Sequence, residues 1–525
     1  MLIKKNIKYN NSESWIFLIY ACLNASVLLA NTHFVSIDGP SHLYNTTLIK
    51  ELLYSNSPIH SYYQLNHELL PNWFGHFIII TLKLIFNAST ADKLFLISYA
   101  VMFPLSFRYL LKQISPNNTI VSFLIFPFVY TFPFIMGFYN FCFSLVWLFY
   151  SLGFYLKYIN AFNKKHFIVL SVLLTLCYFS HLFSFVSALL SLSVINVYFG
   201  FIKKTIPFSF SNSAKNVLKN QLNLIGISII PICLTGMYLY HRKDFEPNHV
   251  FLTTTQLLEE LKQLRVLIMY SVEAEMKYVA KISYLFFALL IITIYVMIEK
   301  IEMSLNFFKN NIINIKLVWF ILLLIFIIFY FKIPDSDGYA GYFSIRLGLL
   351  IYILVIIILS LVTINKRVII ACIAVVFIIN SFRLKSIYSV QKNLNTIINE
   401  LSIIEQKIPD YASVFEINKS DNWLFLHINN YLGENKPLVL LENYEANNDY
   451  FPVQWNKTNM PNWYLGNEEL TIFEKSTNEK KQVDFILLNI SLESFKSTNK
   501  RAFNFLNSYN VISATPNFIL FKLKS

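Results

Sequence analysis

What most limits the folds open to this chain is a repeated pattern. Up to about Arg383, long apolar runs alternate with short charged connections. Runs of roughly 17–25 apolar residues are long enough to cross a hydrocarbon core as helices. Inside lipid the backbone must satisfy its own hydrogen bonds, so a helical bundle is the solution open to such segments. Composition agrees. Of the 525 residues, 55% are hydrophobic and 14% charged, against about 25% charged in an ordinary soluble domain. The net charge of +13 reads as topology. Its basic residues sit in links such as those holding Lys164 and Lys165, Lys203 and Lys204, and Lys366 and Arg367. That is the basic-inside pattern of membrane proteins, and it points away from a nucleic-acid partner.

These runs predict a polytopic α-helical membrane protein with about ten to twelve transmembrane helices, filling residues 1–385. The first run, 15–30, follows Lys4, Lys5 and Lys8. Leu28 stands where a signal-peptide cut after Ala30 would need a small residue, so the run is expected to remain as a first span with a cytoplasmic N-terminus. Further apolar helices are expected at 73–86, 94–111, 119–136, 138–158, 167–181, 184–202, 222–240, 282–298, 313–332, 344–364 and 368–382. The segment 73–111 reads as two helices, although the basic-inside count asks it to cross an odd number of times. The polar stretch 32–72 is too long for a tight turn and predicts interfacial helices at the outer surface. Residues 386–525 change character and predict a soluble extracytoplasmic α/β or α+β domain. Strands are expected near 437–441, 483–489 and 518–523, with a helix at 393–407. The five cysteines all lie in apolar segments without metal-ligand spacing, which suits small core filler.

Candidate chemistry begins directly after the first span, at Ile37-Asp38-Gly39-Pro40-Ser41-His42. Asp38 stands at the membrane boundary, Gly39 and Pro40 set a sharp turn, and His42 follows one helical turn on. A carboxylate in that place can accept a proton or hold a metal. The same pattern also caps a helix. Arg346 lies just inside the end of a span, where an unpaired arginine is costly. It either serves a ligand, snorkels, or pairs with Asp335 or Asp337. His181 is a polar group among aromatics, either at a site or bonded to a neighbouring helix. His241, Arg242 and Lys243 are further cations, with solvation as the plain alternative. Trp423, Trp455 and Trp463 with Glu442, Glu445 and Asp449 form either a glycan surface or core aromatics beside an acidic loop. With 12 glycines in all, there is no Gly-rich phosphate loop.

The order of features up to residue 111, about a fifth of the chain, resembles the N-terminal block of the GT-C superfamily of polyprenyl-phosphate-dependent glycosyltransferases. That superfamily includes protein mannosyltransferase and aminoarabinose transferase types. The matching features are Asp38 after the first span, the loop 39–70, then Pro71-Asn72-Trp73, then Phe86-Asn87-Ala88-Ser89-Thr90-Ala91-Asp92-Lys93. The resemblance implies transfer of a sugar from a polyprenyl-phosphate donor to an envelope glycan, glycolipid or protein at the outer face of the cell (inner) membrane. Asp38 would be the base or would orient the acceptor. Arg346 is the first choice for the leaving phosphate, with His42, His181 and Asn140 as further substrate contacts and a divalent cation as an open requirement. One departure stands out: residues 137–141, where such enzymes often carry a second carboxylate, offer only Asn140. A transporter or flippase of lipid-linked glycans, or a scaffold with an extracytoplasmic binding domain, would also fit a many-spanned chain. An enzyme requires Asp38, His181 and Arg346 to line one cavity.

Overall fold

The structure, a computed structural model, describes residues 11–202, 210–242, 246–302, 316–362, 364–418, 420–456, 483–489 and 506–524. Lys203, Lys204, Lys243 and Trp463 lie outside them. Among the described residues seven helices are long and apolar enough to cross a membrane: Ser12–Leu29, Ala88–Ile114, Tyr139–Tyr158, Leu182–Gly200, Val272–Val296, Phe343–Leu361 and Lys366–Glu405. A pair bent by 69°, Ser213–Ile227 and Ile229–His241, makes an eighth if counted as one span. The chain is a multi-pass membrane protein.

Two further expected spans are helices of 17 residues, Lys164–Ser180 and Lys316–Lys332, and three expected helices take another form, each for a physical reason. First, 119–136 is not an α-helix. Pro116–Phe128 is a 3-10 segment with a non-helical residue at Asn118, and the short helix Phe132–Ile135 follows. Three prolines, Pro116, Pro127 and Pro133, punctuate this stretch, and each lacks the N–H that an α-helix interior needs. Irregular backbone at membrane depth is tolerated only inside protein, and Val121 to Phe128 are all buried. Arg383, 1% exposed, supplies the missing donors. Its guanidinium donates to Pro127 O at 3.0 Å, Tyr130 O at 2.7 Å and Leu267 O at 2.6 Å.

Second, the region 73–111 divides unequally. Helix α3, Phe74–Lys83, has 10 residues and rises about 15 Å at 1.5 Å per residue, half a hydrocarbon core. Helix α4, Ala88–Ile114, has 27 and can span. One helix of spanning length stands where two are expected. Third, the expected helix 222–240 breaks at Ser228, where Pro231 removes the donor that would have bonded back four residues to Ile227.

Helix α1, Asn11–Leu29, leads into α2, Gly39–Leu52, which is buried along most of its length and belongs to no span. The helix Lys366–Glu405 carries the chain from the bundle into the C-terminal region in 40 unbroken residues. Beyond it lie strands β2 Ser413–Asn418, β3 Val439–Leu440, β5 Phe485–Asn489, β6 Tyr509–Ala514 and β7 Ile519–Leu523. They form one sheet in the order β3-β2-β5-β7-β6, parallel across β3, β2 and β5 and antiparallel across β5, β7 and β6. The remaining strand of this region, β4 Val453–Trp455, pairs antiparallel with β1, Tyr63–Leu65, from the loop after the first span. Tyr63 stacks on Trp455 at 4.3 Å between centroids, so Trp455 is core and presents no glycan surface. Two segments almost 400 residues apart are thereby joined, and the candidate site lies where they meet.

Candidate active site

Asp38 sits in the link between α1 and α2. It occupies the N-cap position of α2, yet its side chain makes no capping bond. Backbone bonds hold it instead: Ile37 N–H donates to Ile135 O at 3.0 Å and Asp38 N–H to Met136 O at 3.1 Å. This pairing needs Gly137, whose φ is +86°. A Cβ there would stand 2.8 Å from both the Asp38 nitrogen and its Cβ. Burial pushes the Asp38 carboxyl up to about 6, although the imidazoles of His427 and His42 pull the other way.

His42, one turn into α2, is locked by both ring nitrogens. Nδ1–H donates to Glu445 Oε1 at 2.5 Å and Nε2–H to Gly137 O at 3.0 Å. Two donors on one ring mean an imidazolium. Burial opposes that charge, but the Glu445 carboxylate outweighs it and raises the His42 pKa. His76 of α3 donates from Nε2 to the other oxygen, Glu445 Oε2, at 3.0 Å. Burial alone would raise the Glu445 carboxyl; His42 and His76 hold it down at about 2. The three ligand atoms lie within 4.8 Å of one another, and imidazole and carboxylate are groups a divalent transition metal accepts. As hydrogen-bonded partners they are already matched, one carboxylate oxygen to each ring. Glu445→Gln removes the charge both rings face, and breaking such a buried pair costs about 3–5 kcal/mol. The variant is expected to melt at a clearly lower temperature in detergent; unchanged melting would show that the triad is not structural.

Asn140 stands at the start of Tyr139–Tyr158, and both ends of its amide are used. Nδ2 donates to Asn72 O at 2.7 Å, and Oδ1 accepts from Gly75 N–H at 2.7 Å. It therefore seats the N-terminus of α3 against the site.

Asp38, His42, Asn140, His181, Arg242 and Arg346 all line one cavity of about 460 Å³. Its other flank is apolar, with Leu182, Val186, Leu190, Phe326 and Phe329. Arg346, 5% exposed, is the first-turn arginine of Phe343–Leu361. Neither expected carboxylate reaches it. Asp335 accepts from Ser344 N–H at 2.9 Å and Ser344 Oγ–H at 2.6 Å, while Asp337 pairs with Arg242 at 3.5 Å. Among the described residues Arg346 forms no ion pair, its Nε has no acceptor, and its guanidinium lies 5.0 Å from the Phe138 ring centre.

His181 is the single extended residue between two helices. Its Nδ1 accepts from Phe183 N–H at 3.2 Å, which leaves the ring proton on Nε2. That proton faces Arg346 Nη1 across 3.4 Å. Two donors cannot satisfy each other. An anion reached by both would satisfy them together.

Asp38 also lines a second cavity of about 550 Å³, with Arg265, Tyr270, Asn418, Asn422 and Trp423. Trp423 is 41% exposed there. His76 and His427 carry no signal in the sequence; nothing in the local pattern around either marks it. Glu442 and Glu445, which the sequence offers either to a glycan surface or to an acidic loop, are both buried.

No protein-family model matches the chain, and no curated protein sequence does. Solved structures do match. The crystal structure of ArnT from Cupriavidus metallidurans in the apo state aligns with a TM-score of 0.53 at 10% identity, covering 97% of this chain and 98% of that one. The structure of the same protein bound to undecaprenyl phosphate aligns with a TM-score of 0.52 at 9% identity, covering 98% of each. At such identity the likeness is one of fold, and it extends over nearly the whole chain: this is a GT-C-like membrane fold of the ArnT type.

Proposed function

We propose that the chain is a membrane glycosyltransferase that takes its sugar from a polyprenyl-phosphate donor. The observation carrying this reading is Arg346: a buried cation with no carboxylate partner among the described residues, converging with the His181 N–H on a cavity that Asp38 also lines. A charge left so is expensive, and a phosphate would offset it with bidentate geometry. The apolar flank suits a prenyl chain. The structure of ArnT with undecaprenyl phosphate supports the same class of lipid here.

In this mechanism the acceptor hydroxyl gives its proton to the Asp38 carboxylate. Its oxygen then forms the new bond to the anomeric carbon. The bond from that carbon to the phosphate oxygen breaks, and the electron pair stays on a phosphate held by Arg346 and His181. The donor occupies the cavity of Arg346, and the acceptor reaches Asp38 from the second cavity, where Trp423, Asn418 and Asn422 suit a carbohydrate. The acceptor is an envelope glycan, glycolipid or protein. The basic-inside pattern supports an outer-face position, at the cell membrane, for this end of the bundle and the C-terminal region.

Native mass spectrometry of the purified chain tests the donor. Undecaprenyl phosphate should bind and undecaprenol should not; equal retention of both would remove the phosphate from the reading.

A further inference from the structure

His427 and Glu442 lie in the C-terminal region, beside Asp38 and outside the mechanism given so far. His427 Nδ1 is hydrogen-bonded to Glu442 Oε1, and Nε2 stands 3.9 Å from Asp38 Oδ1. The ring is held flat against Tyr444, 4.3 Å between centroids at 21°. Glu442 lies two residues beyond the end of β3, and its N–H points to Glu416 Oε2 on β2 at 3.4 Å. Asn430, three residues after His427, donates to Ser41 Oγ of α2 at 2.7 Å, which ties this segment to the residues next to Asp38. Because the Glu442 carboxylate can only accept, the neutral ring carries its proton on Nδ1 and turns the Nε2 lone pair towards Asp38. A shift of about 1 Å by the Asp38 carboxylate brings the two to hydrogen-bond length.

We infer that His427, oriented by Glu442, is the positioning residue of Asp38 and the group that receives its proton. This rests on the glycosyl-transfer reading above. The proton taken from the acceptor hydroxyl first resides on Asp38 as the bond to phosphate breaks. It then passes to His427 Nε2, giving an imidazolium whose charge Glu442 meets, and Asp38 returns to the carboxylate for the next acceptor. Solvent finally removes the proton from His427. Among the described residues the charged and titratable groups around this path are Glu442, Asp38, Glu416, Tyr444 and Tyr450, with His42 and Glu445 beyond Asp38. The C-terminal region would thus complete a site whose other members stand on the membrane helices and α2.

The test has two arms on the full-length chain in detergent. In the first, ¹⁵N-histidine NMR is followed from pH 5 to 8. The wild type should show His427 protonated at Nδ1, Glu442→Gln should release that tautomer, and Asp38→Asn should lower the His427 midpoint. A mixed tautomer in the wild type, or a midpoint indifferent to Asp38→Asn, overturns the inference. In the second, a membrane lipid extract from the source cell serves as donor and acceptor, and release of undecaprenyl phosphate is read. His427→Ala should lose about 10²-fold in rate, keep its binding of undecaprenyl phosphate, and regain rate with added imidazole. An undiminished rate, or a loss that imidazole leaves untouched, overturns the relay alone. Wild-type protein that releases no undecaprenyl phosphate overturns the transferase reading itself, while the NMR arm still reports whether the two side chains are coupled.

Discussion

Asp38→Asn is expected to lower sugar transfer by on the order of 10²-fold or more, the scale of a lost general base, and to leave the protein folded. The second half follows from how Asp38 is held. Its side chain caps nothing, and the bonds that fix it, from Ile37 and Asp38 N–H to Ile135 and Met136 O, belong to the backbone. Asparagine keeps the shape and loses the basicity. Asp38→Glu should fail almost as badly, because the longer arm moves the carboxylate off the junction of the two cavities. The wild type carries a further signature. Only the ionised carboxylate can accept a proton, and burial raises its pKa to about 6. The rate should therefore rise with pH through about 6 and flatten above it. A profile flat from pH 5 to 8 would show that Asp38 does not act as the base.

Arg346→Met separates function from stability in opposite directions. Transfer should fall by about 10²–10³-fold, the usual cost of removing a donor that holds charge developing in the transition state, and undecaprenyl phosphate should bind more weakly. Thermal stability should rise, because the wild-type protein buries a cation without a counter-charge among the described residues, and methionine fills similar space without that desolvation cost. Arg346→Lys should keep part of the affinity, since it retains the charge and loses the planar fork that grips two phosphate oxygens. Melting temperature and lipid binding measured on the same preparations decide the matter. A destabilised Arg346→Met protein with normal binding would make Arg346 a packing residue.

How much of this could be read beforehand depends on the range over which each signal acts. The spans at Ser12–Leu29, Tyr139–Tyr158 and Phe343–Leu361 were legible because hydropathy is local and lipid imposes it. The stretch 119–136 misled for the same reason. Its residues are as apolar as a span, but they pack inside protein, and the arginine that makes this possible, Arg383, lies some 250 residues later in the chain. The strands β5 and β7 were visible as short β-type runs, whereas β4 follows a glutamine-tryptophan pattern that acquires meaning only beside β1. In the site, Asp38 showed itself through its Gly-Pro turn. Arg346 and His181 showed themselves as polar groups in apolar surroundings, and that they share one cavity is a fact of packing. His427 gives no such signal, and Glu445 is visible only as one acid of a glycan surface or acidic loop. Each matters through a partner roughly 400 positions earlier, in α2 or just before it.

The measurement that bears most directly on the central claim is mass spectrometry of envelope glycolipids and glycoproteins from three strains of the source cell. One carries the wild-type chain, one lacks it, and one carries Asp38→Asn at matched membrane levels. A membrane glycosyltransferase with Asp38 as its base predicts one glycoform lighter by a single sugar residue in the second and third strains alike. Full-mass glycoforms in the Asp38→Asn strain, with the loss confined to the deletion, would contradict it.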